Sequence, residues 1–117
     1  MGQDWARPVV HFEIEARDPD VLIPFYEVMF NWPVGDGLIR QFPAGLGGPE
    51  PGPAGHFRHS SRSGVTLYVQ VCDLAASLAQ AESLGGTVTL APMDIPNGPT
   101  IAGITDPEGN PVTLVQQ

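Results

Sequence analysis

Hydrophobic and polar residues alternate along two stretches of this chain, and this period of two predicts two half-buried β-strands. The first stretch, Val9–Ala16, places apolar side chains at its even-numbered positions, and the second, residues 65–71, places them at its odd-numbered positions. The polar faces carry His11, Glu13 and Glu15 in the first strand and Thr66, Tyr68 and Gln70 in the second. Each strand therefore has one face for a core and one face for solvent or a ligand.

A helix is predicted after the first strand, because apolar residues recur there at spacings of three and four. Asp18 is the expected N-cap, and Pro19 is the expected first helical residue, where a missing amide hydrogen costs nothing. Pro24 lies inside the apolar pattern. Since an interior proline removes a backbone hydrogen bond, we expect regular helix to begin only near Ile23 and to end at residues 31–33.

A second helix is predicted between Asp73, its expected N-cap, and the Gly85-Gly86 pair, which favours a left-handed helix end. A β-turn is predicted at residues 106–109, with Pro at its second position and Gly at its fourth. Pro111, which has no amide hydrogen, is expected at a strand start or a sheet edge. Further short strands are predicted at residues 34–42, 55–60, 87–90, 100–104 and 112–115.

The second strand and helix repeat the first at a constant offset of 55 residues. The offset maps Phe12 onto Leu67 and the expected cap Asp18 onto the expected cap Asp73 without a gap. The chain is therefore expected to contain two related modules.

Charge and composition limit the expected partners and location. The sequence has 13 Asp and Glu residues against five Arg and no Lys, and its formal net charge is −8. This acidity repels phosphate backbones and anionic headgroups, so we expect no nucleic acid and no membrane as partner. The single cysteine, Cys72, excludes an internal disulfide, and the first residues do not resemble a secretory leader, so a cytoplasmic protein is expected.

Glycine and proline, 14 and 13 residues, concentrate in the turns and in residues 43–55 rather than along the whole chain. Their number therefore does not indicate disorder. Residues 43–55 form a long predicted loop, which is either a lid over a cavity or a flexible connection.

An ordered set of residues supports a family resemblance that extends over nearly the whole chain. The set is His11, Asp18, Phe25-Tyr26 and residues 30–32 in the first half, and residues 71–74, 84–86 and 106–110 in the second. It resembles the vicinal oxygen chelate superfamily, which includes glyoxalase, bleomycin-resistance proteins and extradiol dioxygenases. The resemblance implies an α+β fold of two tandem βαβββ modules, with a U-shaped curled sheet, helices outside, and a homodimer. Residues 1–117 are then one domain, with modules at about 6–60 and 64–117.

The resemblance also implies a cavity lined by the polar strand faces, with four metal-ligand positions in the metal-dependent members. His11 retains the first position, whereas Thr66 and Thr113 occupy two others. Threonine is a poor ligand for a transition metal compared with histidine or a carboxylate. His56 and His59 lie near the fourth position, and because they are three residues apart, only one of them can face the cavity from a regular strand.

We therefore expect no bound metal, and Zn, Fe, Ni or Mn only if a His11/Glu13/His56 cluster forms. Without a metal, His11 is expected to be a polar cavity residue that is hydrogen-bonded to a neighbour such as Glu13 or Tyr68. The expected ligand-binding residues are His11, Glu13, Glu15, His56, Thr66, Tyr68, Gln70 and Thr113.

The expected function is the binding of a small cationic or aromatic molecule, since acidic residues share the face of His11. The alternative is a metal-dependent lyase, isomerase or dioxygenase that uses His11 with His56 or His59. A third possibility is an accessory module whose dimer surface is the functional part.

Overall fold

Both predicted strand-helix units are present in the computed structural model, which describes residues 5–37, 39–44 and 52–116. The elements are β1 (Val9–Ala16), α1 (Pro19–Phe30), β2 (Ile39–Phe42), β3 (Ala54–His59), β4 (Gly64–Gln70), α2 (Leu74–Ser83), β5 (Thr87–Asp94), β6 (Thr100–Thr105) and β7 (Pro111–Gln116). Strand β4, helix α2 and strands β5 to β7 form a βαβββ module, and the predicted α+β class is confirmed. The offset of 55 residues separates the first residues of β1 and β4, and likewise those of α1 and α2.

The chain divides into two compact units. Of the described residues, the first unit contains those in the range His11–Thr66, and the second contains residues 67–116 together with residues 5–10. None of the helices among the described residues has the length and apolar character needed to cross a membrane.

In the first unit, β3 lies between β2 and β1, parallel to β1 and antiparallel to β2. The apolar face of β1 packs against the stripe of α1, as the alternation predicts. The buried members of this core are Ile14, Ile23, Phe42 and Phe57. This packing leaves the opposite faces of β1 and β3 to polar side chains.

Helix α1 differs from the prediction at its N-terminus, because it begins at Pro19 and not near Ile23. The backbone carbonyl of Asp18 accepts hydrogen bonds from the amides of Val21 and Leu22, at 3.2 and 3.0 Å, so the first turn forms despite Pro24. The expected side-chain cap is absent, since the carboxylate of Asp18 makes no capping hydrogen bond. The helix ends as predicted, at Asn31 in the left-handed conformation with φ 59°.

In the second unit the strand order is β4-β7-β6-β5, with β4 and β7 parallel and the other pairs antiparallel. The side chain of Asp73 caps α2 as predicted, accepting a hydrogen bond from the amide of Ala76 at 3.0 Å. Strand β5 extends beyond the predicted residues 87–90, because register shifts let it follow β6 as far as Asp94. The buried core contains Val71, Leu74, Leu78, Ala102 and Leu114.

The strand predicted at residues 34–42 is limited to β2, and residue 38 is outside the described residues. Most of the predicted loop at residues 43–55 also lies outside them, since the description resumes at Gly52. The role of that loop stays a prediction.

Candidate functional site

The first unit brings together the polar residues of β1 and β3 on one face. Because these strands are parallel and in register, Glu13 lies opposite His56 and Glu15 lies opposite Arg58. Side chains that are two residues apart share a face, so His11 joins this group. We call His11, Glu13, Glu15, His56 and Arg58 the polar face of the first module.

Three of these residues form a continuous chain of hydrogen bonds. Nε2 of His11 lies 2.7 Å from Nδ1 of His56, and Nε2 of His56 lies 2.8 Å from Oε2 of Glu13. An ionised carboxylate only accepts hydrogen bonds, so Nε2 of His56 carries a proton that it donates to Glu13. When each imidazole carries a single proton, Nε2 of His11 must donate to Nδ1 of His56. The chain therefore fixes the tautomers of both histidines.

Two arginines balance the two carboxylates of the polar face. Arg58 donates from Nε to Oε2 of Glu13 at 2.9 Å and from Nη2 to Oε1 of Glu15 at 2.8 Å. Arg62 donates from Nε to Oε2 of Glu15 at 2.8 Å. The side chains of Glu13 and Glu15 are only 9% and 5% exposed, so their charges are compensated inside the protein rather than by solvent.

These partners change the acidity of two groups. Burial would raise the pKa of Glu13, but hydrogen bonds from His56 and Arg58, together with their charges, lower that pKa to about 2. Burial lowers the pKa of His11 below its ordinary value, and the neighbouring His56 lowers it further, while Glu13 acts in the opposite direction. At neutral pH the site therefore combines an ionised Glu13 with an uncharged His11.

The strand registers show which residue of the first module corresponds to Thr113. Glu13 lies opposite His56 in the first module, and Tyr68 lies opposite Thr113 in the second. Since Tyr68 follows Glu13 by the 55-residue offset, His56 is the counterpart of Thr113. His56 is thus the histidine on the polar face.

His59 lies on the other face of β3. It lines a separate cleft of about 200 Å³ between the start of α1 and strands β2 and β3. The residues around this cleft are Pro19, Asp20, Gly37, Arg40, Phe57 and His59.

The donors on the polar face do not fit a catalytic metal ion in this arrangement. Such a site normally has three protein ligands that converge on one point. His11, His56 and Glu13 are instead hydrogen-bonded in series, and the facing nitrogens of the two histidines are hydrogen-bonded to each other. Among the described residues, no group of three His, Cys, Asp or Glu side chains could hold a metal ion.

The remaining predicted site residues lie on β4 and β7. Thr66 is buried, and Tyr68, Gln70 and Thr113 are partly buried. Sequence reasoning missed Arg58 and Arg62, which bind the predicted carboxylates. Arg58 follows His56 by two residues, so the alternation of β3 could have indicated that it shares this face.

The fold has clear relatives among solved structures. Methylmalonyl-CoA epimerase from Mycobacterium tuberculosis has 19% identity, a TM-score of 0.62, and coverage of 92% of this chain and 85% of that chain. A variant of the Streptomyces coelicolor methylmalonyl-CoA epimerase in complex with 2-nitronate-propionyl-CoA has 16% identity, a TM-score of 0.62 and 94% coverage of both chains. A hypothetical protein from Bacillus halodurans has 11% identity, a TM-score of 0.67, and coverage of 97% of this chain and 96% of that chain. Identities this low establish a shared fold and not a shared activity.

The family of this chain is shown by a family profile and not by the similar structures. No curated protein sequence matches this chain. The profile of the glyoxalase-like domain, in contrast, matches residues 11–115, which include both modules. The chain therefore belongs to the glyoxalase-like domain family of the vicinal oxygen chelate superfamily.

Proposed function

We propose that this protein binds a small molecule on the polar face of the first module without a catalytic metal, as the bleomycin-resistance branch of the superfamily does. The observation that carries the proposal is the hydrogen-bond chain from His11 through His56 to Glu13. It engages Nε2 of His11 and both ring nitrogens of His56. The threonines at the other two positions, Thr66 and Thr113, support the same conclusion, since their hydroxyls are poor metal ligands.

The polar face favours an aromatic ligand over a purely cationic one. The carboxylates of Glu13 and Glu15 would favour a cation, but Arg58 and Arg62 neutralise both of them. The rings of His11 and His56 lie with centroids 4.9 Å apart and planes inclined by 31°. A flat aromatic molecule can stack on the half-buried ring of His11. A positive substituent on it is compatible with the net charge of −8.

The epimerase neighbour bound to 2-nitronate-propionyl-CoA suggests a different ligand class. A coenzyme A ester carries several phosphates. The net charge of −8, with no lysine in the sequence, opposes the binding of such a polyanion. We therefore propose an uncharged or cationic aromatic molecule instead.

A titration followed by backbone amide NMR tests the ligand class. Indole and the aromatic cation tryptamine are expected to shift amides of β1 and β3, whereas the aliphatic cation butylamine is not. The shifts should weaken in His11→Gln and persist in His59→Gln, because His59 lies on the other face of β3. Absence of shifts with both aromatic probes, or stoichiometric Zn, Fe, Ni or Mn in the purified protein, would contradict the proposal.

The alternative is a metal-dependent lyase, isomerase or dioxygenase that uses His11 with His56. Two histidine nitrogens 2.7 Å apart at the family's ligand positions favour it. His59 is a weaker partner because it lies on the opposite face of β3. Metal binding would require His56 to give up a hydrogen bond to His11 or to Glu13. Equilibrium dialysis against a divalent metal distinguishes the two functions. Metal uptake by the wild-type protein that is lost in His11→Ala would establish the alternative. Equal metal content in the wild-type protein and His11→Ala would exclude it.

The protein is also proposed to form a homodimer through α1. The outer face of this helix exposes an apolar stripe in which Val28 is 84% and Val21 70% exposed. Phe25 and Met29 belong to the same stripe. Contiguous exposed apolar surface of this kind is typical of an interface.

Light scattering during gel filtration measures the mass. Val28→Glu should convert a dimer to the 12.4 kDa monomer, whereas Ala79→Glu, on the exposed side of α2, should not. A wild-type protein that is monomeric at high concentration would disprove the dimer.

A further inference from the structure

The cleft beside His59 lies on the helix side of the first module, away from the polar face. Strands β2 and β3 are antiparallel, and their register pairs Arg40 with Phe57, so both side chains lie on the same face of the sheet. His59 follows Phe57 by two residues on β3 and shares that face. Together with the start of α1, these residues line a cleft of about 200 Å³. The sheet of the first module therefore separates the cleft from the polar face.

The cleft is lined by one cationic and one anionic side chain that do not neutralise each other. Arg40 and Asp20 both line it, yet no ion pair joins them among the residues that the structure describes. On the polar face, in contrast, the carboxylates of Glu13 and Glu15 are paired with arginines. Both charges of the cleft are therefore available to a ligand that carries charges of both signs.

The guanidinium of Arg40 is held in position by the backbone that precedes β2. Its Nε donates a hydrogen bond to the carbonyl of Gly35 at 2.6 Å, and the amide of Gly35 donates to the carbonyl of Gln41 at 2.8 Å. Within the described part of the chain, Nη1 and Nη2 of Arg40 make no hydrogen bond. This edge of the guanidinium matches the two oxygens of a carboxylate. Because the side chain is already fixed through Nε, binding a carboxylate orders fewer bonds of the side chain.

We propose that this cleft binds a small zwitterion of the α-amino-acid class, with its carboxylate on Arg40 and its ammonium group on Asp20. The apolar walls of the cleft, Pro19 and Phe57, contact a short hydrocarbon side chain of this ligand. The site goes beyond the proposed function and does not depend on it, since it lies on the other face of β3.

Size and charge both favour this ligand class. The volume of about 200 Å³ is below the roughly 300–1,000 Å³ of sites for drug-sized ligands, so a small molecule fits the cleft. A simple anion fits less well, because Asp20 and the net charge of −8 both repel a negative charge that is not balanced within the ligand. A simple cation leaves the charge of Arg40 without a partner.

Three probes of similar shape test whether both charges of the ligand are needed. L-valine carries both charges, isovalerate lacks the ammonium group, and isobutylamine lacks the carboxylate. In titrations of the isotope-labelled full chain, L-valine is expected to shift the backbone amides of Asp20, Gly37 and Arg40, and the other two probes should bind at least about 10-fold more weakly. Equal affinity for L-valine and isovalerate would overturn the zwitterion class. Absence of shifts with L-valine at about 50 mM would overturn the site.

Substitutions test the two charged residues separately. Arg40→Gln should weaken the binding of L-valine by about 10-fold or more, whereas the matched control Arg17→Gln, at an exposed arginine that does not line the cleft, should not. Because Arg40→Gln also loses the hydrogen bond to Gly35, a second variant uses an exposed side chain. Asp20→Asn should weaken binding by a similar factor, and Glu27→Gln, further along α1, should leave it unchanged. Wild-type affinity in either Arg40→Gln or Asp20→Asn would overturn the proposal.

The positions of the shifted amides separate this site from the polar face. Shifts from L-valine that are confined to His11, Glu13 and His56 would place the ligand on the polar face and overturn the cleft site. Shifts from indole at β1 should persist in Arg40→Gln, because Arg40 lies on the opposite face of the sheet. Failure of the cleft site is thus distinguishable from failure of the proposed function.

Discussion

Replacing Glu13 by Gln is expected to lower the free energy of unfolding by about 2 kcal/mol at neutral pH. The carboxylate accepts hydrogen bonds from Nε2 of His56 at 2.8 Å and from Nε and Nη2 of Arg58 at 2.9 and 3.3 Å. A glutamine amide replaces one accepting oxygen by an NH₂ donor. That donor would face the donors of His56 or Arg58, so at least one buried hydrogen bond is lost along with the ion pair.

The magnitude follows from the acidity of Glu13. Lowering its pKa from 4.5 to about 2 corresponds to at most about 3 kcal/mol of stabilisation of the ionised form. Arg58 is 42% exposed, so solvent screens its charge and rehydrates it in the variant. This screening reduces the expected loss to about 2 kcal/mol.

The expected loss depends on pH in a defined direction. The pKa of Glu13 is lower in the folded than in the unfolded protein, so its stabilisation is fully present above pH 4.5 and is lost as pH falls towards 2. Urea unfolding of the wild-type protein and of Glu13→Gln should therefore differ by about 2 kcal/mol at pH 7 and should converge below pH 4.5. Glu82→Gln, an exposed control on α2, should stay within about 0.5 kcal/mol of the wild-type protein at each pH. Equal stability of wild type and Glu13→Gln at pH 7, or a difference independent of pH, would refute the reasoning.

Two further substitutions test the packing and capping of the two modules. Gly55→Ala places a Cβ in steric overlap with the ring of Phe42, so thermal unfolding should show a destabilisation of about 1–3 kcal/mol, and an unchanged midpoint would contradict this contact. Gly52→Ala, with open space around the added carbon, is the matched control. Asp73→Ala removes the cap of the Ala76 amide and should cost about 1 kcal/mol in urea unfolding, and an unchanged free energy of unfolding would contradict a stabilising cap.

Patterns among residues that are close in sequence were sufficient to predict most helices and strands of the fold. The alternation in β1 gave its bounds, and Asp73 gave the start of α2, because both signals come from neighbours in sequence. The predicted start of α1 was wrong because the true start depends on contacts with residues that are distant in sequence. The prediction treated Pro24 as a breaker, yet Ile23 is buried in the core and holds the first turns against β1 and β3.

The candidate site was only partly predictable. His11, Glu13 and His56 were expected on a ligand-facing surface, but the hydrogen-bond chain that joins them in series was not. The choice between His56 and His59 also stayed open, because the strand that carries them had no clear pattern of its own. Arg58, the main partner of Glu13, was missed because the sequence does not show that β3 pairs with β1.

By itself, the sequence determined the two-module repeat, the faces of the strands and the polar character of the surface around His11, since period and offset are local properties. Tertiary structure decided which polar side chains of that surface are hydrogen-bonded to each other. Glu13 and His56 are 43 residues apart in sequence, and only the parallel register of β1 and β3 places them opposite each other. That register depends on the packing of apolar side chains on the other face of the sheet. It joins two histidines and a carboxylate into a hydrogen-bond chain in place of a converging set of metal ligands.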